Sequence, residues 1–263
     1  MSPWEAFLLG LLQGITEFLP VSSSGHIELG KALLGINLKD DILFTLIVHL
    51  ATVLSIMLVF YKDILSLLKN LFSFKWNEGN QYVAKLVLSA VPAAIIGLSF
   101  KSELEKILEG RVAFVGCMLI VTGIILWLTT KAPKTQKDIS FKSVVLIGLS
   151  QAIALLPGIS RSGSTIATAL YLGIDKEKAA RFSFLMILLP IIGASFLEFL
   201  DFDTTTLSAN TPMTSLLVGF IAAFISGYVS CRWMYDLVKK GKIAWFAIYC
   251  FIMGTIAIVL GSL

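Results

Sequence analysis

Charge is what this chain has least of. Only 14% of its 263 residues are Asp, Glu, Lys or Arg, with two histidines and three cysteines. So few ionisable groups exclude a soluble domain and a basic nucleic-acid patch, and no nucleic-acid partner is expected. Cys117, Cys231 and Cys250 all lie in apolar runs, which excludes a disulfide framework or a thiolate metal centre. What is present is apolar: 57% hydrophobic residues and a mean hydropathy of +0.87, the composition of an integral membrane protein. The first apolar stretch lacks the basic flank of a signal peptide and contains Glu5 and Glu17, so it reads as retained structure.

One stretch interrupts this pattern: Leu156-Pro157-Gly158-Ile159-Ser160-Arg161-Ser162-Gly163-Ser164-Thr165. The apolar arms on either side are each too short to cross a bilayer, which takes about 20 residues. Non-helical backbone at membrane depth persists only inside protein or beside a wet cavity. The stretch therefore reads as the tip of a re-entrant hairpin over residues 144–174. Its cation, its hydroxyls and the N-terminus of a helix expected to start near Thr165 suit an anion such as phosphate.

The device occurs twice. Sliding the chain by 138 positions superimposes Gly10-Leu11-Leu12-Gln13 on Gly148-Leu149-Ser150-Gln151, Ser22, Ser24 and Gly25 on Ser160, Ser162 and Gly163, and Leu34-Gly35-Ile36 on Leu172-Gly173-Ile174. About ten identities in one register point to a first hairpin over residues 3–36, with its tip at Pro20 to His26. Spans are expected at 42–60, 83–100 (kinked at Pro92) and 112–130, then at 182–200, 213–231 and 243–262. The polar stretch from Tyr61 to Gln81 and the Lys-containing loop 131–143 read as connections.

Each half, 1–135 and 136–263, then comprises one hairpin and three spans. Three is odd, so the second half must be inverted. The expected fold is an all-α integral membrane protein built as an inverted repeat, with the site where the two tips meet. Loops on one side hold 14 Lys or Arg against four on the other, which places the lysine-rich loops in the cytoplasm and both termini outside. Trp4, Trp76, Trp127, Trp233 and Trp245 fall near span ends, as interfacial belts do.

Ionisable residues at membrane depth are costly and usually functional. Gln13 and Glu17, four apart, share a helix face close to the first tip. His26 adjoins three serines, and an imidazole beside a hydroxyl can handle its proton. Ser22, Ser23 and Ser24 include a candidate nucleophile; spacing does not choose among them, and the plainer role of each is to cap the return helix. Arg161 matches phosphate oxygens bidentately; its plainer reading is a structural pair with Glu17. Ser160, Ser162, Ser164 and Thr165 are candidate phosphate donors, while His49, in mid-span, reads as structural.

The segments Gln13-Gly14-Ile15-Thr16-Glu17-Phe18-Leu19-Pro20-Val21-Ser22-Ser23-Ser24-Gly25-His26 and Pro157-Gly158-Ile159-Ser160-Arg161-Ser162-Gly163-Ser164-Thr165 resemble those of the bacterial undecaprenyl-diphosphate phosphatases of the BacA/UppP type. The resemblance extends over the chain in length, span count and motif placement. It implies hydrolysis of undecaprenyl diphosphate to undecaprenyl phosphate and phosphate in the inner membrane, recycling the cell-wall lipid carrier and conferring bacitracin resistance. It also implies Ser23 as nucleophile, His26 as acid and base, and Arg161 as phosphate clamp; the residues themselves add Glu17 to the catalytic set and Ser22, Ser24, Ser160, Ser162 and Thr165, beside Arg161, as expected phosphate-binding groups. A divalent cation, Mg2+ or Ca2+, is expected at Gln13 and Glu17, although Gln stands here where the family motif offers Glu or Gln. The rival reading is a transporter or flippase for polyprenyl phosphate lipids, which needs no nucleophile. Membrane lipid is an expected partner, and a homodimer stays open.

Overall fold

The structure, a computed structural model, describes residues 1–34, 42–73, 75–100, 112–193 and 212–262. The expected external loops 37–41 and 101–111, most of 201–212 and the end of the span expected at 182–200 lie outside the described residues.

The first arm, α1 (Pro3–Phe18), starts at a capping box in which Ser2 and Glu5 satisfy each other's backbone N–H groups, with Pro3 in the first turn. It stops because Pro20 follows: Leu19 is extended, as a residue before proline prefers. The return arm is α2 (Ser23–Leu34). The span α3 (Ile42–Val59) then turns by 82° into α4 (Tyr61–Leu71). Here the expected polar connection is a helix. Leu65, Leu68 and Leu71 are all exposed beside Lys62 and Lys69, as in a helix lying in the membrane interface. An ion pair from Asp63 to Arg181 ties this helix to the second half.

Next come α5 (Glu78–Ser99), unbroken through Pro92, and α6 (Val112–Leu128), closed by a 3-10 turn at Thr129–Lys131. The second hairpin is α7 (Phe141–Ile153) and α8 (Arg161–Tyr171). Its return helix begins at Arg161 rather than near Thr165, because Ser160 caps it by accepting from the Gly163 N–H. The linker is pinned to the end of this hairpin by backbone bonds between Lys137 and both Gly173 and Asp175. The helix α9 (Lys176–Met186) starts six residues before the expected span at 182 and breaks at Ile187, with helix resuming over 188–193. Finally α10 (Met213–Lys239) outruns its expected end at 231 by two turns, and α11 (Phe246–Ser262) closes the chain.

Four of the described helical segments are long and apolar enough to cross a bilayer: Glu78–Ser99, Val112–Lys131, Met213–Lys239 and Ile243–Ser262. The bent α3–α4 pair adds a fifth candidate. The protein is thus an all-helical, multi-pass membrane protein. All five tryptophans are exposed near helix ends.

Close helix pairs are made by small residues, because lipid chains compete with apolar side chains and only close backbone approach gives one packing an advantage. In α1, Gly10 and Gly14 face the backbone of α10 at Gly219 and Ala223, leaving no room for a Cβ. The pair α6 and α11 does the same through Gly116 and Gly254, and α7 approaches α5 where Gly148 meets the Ser89 carbonyl.

Candidate active site

Three contacts recur in both tips. In the second, the Ser160 hydroxyl accepts from the Gly163 N–H at 3.1 Å, lies 3.3 Å from Ser162 Oγ, and the Ser164 N–H donates to the Ser160 carbonyl at 2.9 Å. In the first, 138 positions earlier, Ser22 Oγ accepts from the Gly25 N–H at 3.3 Å, lies 3.3 Å from Ser24 Oγ, and the His26 N–H donates to the Ser22 carbonyl at 3.1 Å. Ser22 holds this turn at a φ of 69°, unusual for a residue with a side chain. In the second tip the strained position is Gly158, φ 92°, packed against the Val115 carbonyl where no Cβ would fit. Thr122 of α6 anchors that loop, donating to the Gly158 carbonyl at 2.9 Å and accepting from the Ser160 N–H at 3.1 Å.

The tips touch. A Cβ on Gly25 would lie 3.3 Å from Gly158 Cα, and one on Gly163 would lie 3.2 Å from Pro20 Cβ. The Ser162 hydroxyl donates to the Leu19 carbonyl at 3.2 Å. Across this contact sits one carboxylate. Glu17 Oε1 accepts from Arg161 Nη2 at 2.8 Å, while Oε2 accepts from Ser23 Oγ at 2.6 Å and from Gln13 Nε2 at 3.1 Å. The Glu17 side chain is 1% exposed and that of Arg161 25%. A carboxylate this deep needs its partners, since stripping one charge from a buried pair costs about 3–5 kcal/mol. The guanidinium is more open, and its remaining N–H groups can hold an incoming anion.

The sequence-predicted residues thus fall into groups. Gln13, Glu17, Ser23 and Arg161 form one hydrogen-bonded cluster. Ser22, Ser24, Ser160 and Ser162 shape the two turns, and Thr165 donates back to the Arg161 carbonyl of its own helix at 3.0 Å. His26 bonds at Nδ1 to the Ser22 carbonyl and at Nε2 to the Tyr249 hydroxyl, both at 2.8 Å, and among the described residues no bond joins it to Ser23, Glu17 or Arg161. His49 donates from Nδ1 to the Thr45 carbonyl at 2.8 Å within its own helix. The buried Ser164 hydroxyl, at the position matching His26, has no partner among the described residues. Sequence reasoning missed Thr122 and Tyr249. A threonine in mid-span was the one available signal for the first, and nothing local marks the second.

For a cation the cluster offers one carboxylate and one amide, and the described residues contain no group of three or more His, Cys, Asp or Glu able to hold a metal. Hard divalent cations take six or more oxygens, so these donors fit Mg2+ or Ca2+ only in company with phosphate oxygens and water.

Fold and site together describe a multi-pass membrane protein with a buried polar cluster, Gln13, Glu17, Ser23 and Arg161, where two hairpin tips meet. The chain belongs to the bacitracin resistance protein BacA family, whose model matches residues 6–256. It is 49% identical over 261 residues, 98% of each chain, to an undecaprenyl-diphosphatase of Christiangramia forsetii. Undecaprenyl-diphosphatases of Bacteroides fragilis (46% over 265 residues, all of both chains) and Carboxydothermus hydrogenoformans (36% over 264 residues, 99% and 98%) match as fully.

Proposed function

We propose that this chain hydrolyses undecaprenyl diphosphate to undecaprenyl phosphate and inorganic phosphate, recycling the lipid carrier of cell-wall synthesis and so conferring bacitracin resistance. The activity is that of its relatives by name. The observation that carries the residue assignment is the chain Ser23–Glu17–Arg161, which joins a hydroxyl, a proton acceptor and a fixed cation drawn from both tips.

In this mechanism the polyprenyl tail stays in lipid and the diphosphate enters between the tips. Its terminal phosphate takes over the Arg161 guanidinium, with loop N–H groups and tip hydroxyls as further donors. Glu17, released from Arg161, accepts the Ser23 proton as Ser23 Oγ attacks the terminal phosphorus. The bond from that phosphorus to the bridging oxygen breaks, and undecaprenyl phosphate leaves with the proton. Water then attacks the phosphoserine, giving its proton to Glu17, which returns it to Ser23 Oγ. A divalent cation arriving with the substrate would neutralise phosphate charge. Gln13 and Glu17 are the residues that would touch it.

An inverted repeat with halves 1–135 and 136–263 is supported by the matching tips and by how the arms pack. Each entry arm lies on a span of the other half, α1 on α10 and α7 on α5, and the third spans, α6 and α11, pair with each other. The 14-to-four distribution of Lys and Arg supports an inner-membrane protein with lysine-rich loops cytoplasmic and both termini outside. Two opposed tips also suit a carrier that flips polyprenyl phosphate lipids. Phosphate release from undecaprenyl diphosphate by the purified protein in detergent separates the readings, because no second compartment exists there. Release is expected; its absence with intact fold rejects hydrolysis.

A further inference from the structure

The proposed hydrolysis leaves His26 without a task, and its surroundings say why. Nδ1 lies 2.8 Å from the Ser22 carbonyl oxygen, which only accepts, so Nδ1 carries the proton. The Tyr249 hydroxyl lies 2.8 Å from Nε2, and against a neutral ring it is the donor. The two rings are near-parallel, 11° apart with centroids 5.6 Å apart. Both nitrogens are therefore committed, while Ser23, one turn earlier on α2, gives its hydrogen bond to Glu17. Tyr249 comes from α11, which reaches the first tip a second time: Cys250 Sγ lies 3.6 Å from the Pro20 carbonyl oxygen. The glycine contact of α11 with α6 sets how close that helix comes.

We propose that Tyr249 is a positioning residue of the hydrolytic site. Its hydroxyl holds His26 as a neutral, Nδ1-protonated ring, which braces the turn carrying Ser23 and keeps the imidazole from competing with Glu17 for the Ser23 proton. The kinetic part rests on the hydrolytic reading; the bond itself does not, and the two are tested separately. The chain has only two histidines, so 15N spectra of histidine-labelled protein are simple to assign. Both rings are expected in the Nδ1–H form, and Tyr249→Phe should move the His26 Nε2 resonance while leaving that of His49 in place. With undecaprenyl diphosphate, Tyr249→Phe should lower kcat about 3- to 10-fold with KM within about twofold, the scale of one lost hydrogen bond. Added to His26→Ala it should cost nothing further, because the two residues act as one unit. An unmoved Nε2 resonance, or losses that add in the double variant, overturns the proposal. A wild-type chain that releases no phosphate rejects the hydrolytic reading instead, and the resonance still decides the bond.

Discussion

The two tips share a skeleton and divide the labour. Both use a serine hydroxyl to accept the N–H three residues on, a second serine at 3.3 Å, and a backbone bond one turn into the return helix. At three further pairs of positions they part. Ser23 matches Arg161, His26 matches Ser164, and Glu17 matches Leu155. Phosphate binding needs only the shared frame: a tight turn, free N–H groups and a helix start. Chemistry needs opposite charges and a nucleophile, which two identical copies meeting face to face would not supply. The proposed mechanism therefore gives the reacting groups to the first tip and the grip to the second.

This division predicts an order of damage. Arg161→Ala should be the worst single change. It removes the grip and strands the Glu17 carboxylate, lowering kcat/KM on the order of 10³-fold or more and the thermal stability in detergent measurably. Arg161→Lys, read in the same assay, should recover only part of this, since an ammonium lacks the fork geometry. Ser23→Ala should lower kcat by roughly 10²- to 10⁴-fold, with a smaller stability loss than Arg161→Ala because one of the hydrogen bonds to buried Glu17 goes with it, whereas Ser24→Ala, on an exposed side chain, should stay within about twofold. Comparable losses for the two serines would erase the distinction between reacting and framing hydroxyls.

On the second tip, Gly158→Ala should cost about 1–3 kcal/mol by thermal unfolding, from its φ and the Val115 carbonyl behind it. Thr122→Val, which deletes two anchoring bonds, should cost about 1–3 kcal/mol and lower activity modestly. The smallest signal concerns metal. Calorimetric titration of Mg2+ into substrate-free protein should show weak binding or none, while turnover falls with a chelator. Tight binding without substrate would place a resident ion at Gln13 and Glu17.

Much of this was legible because the membrane makes exceptions conspicuous. An arginine, a glutamate and runs of serine and glycine inside apolar segments stand out, and the register of 138 marks them as a pair. The amphipathic helix α4 was not legible: its Lys and Asn residues suggest a loop unless Leu65, Leu68 and Leu71 are allowed to face lipid. The start of α8 was misplaced by four residues because the serine that caps it is one of several in a row. Tyr249 was beyond reach for a different reason. A lone tyrosine in an apolar helix is ordinary, and its meaning arises only when α11 lays it against a histidine 223 positions earlier.

The Glu17–Arg161 bridge has one more consequence. At rest the buried centre is electroneutral, one formal charge of each sign, and it tolerates its depth for that reason. A diphosphate upsets that balance by more than one charge, whereas a phosphomonoester upsets it less. Hydrolysis only divides that charge between two anions, so in the proposed mechanism the imbalance created by substrate entry is relieved when phosphate and lipid product leave, and the Glu17–Arg161 bridge can then re-form.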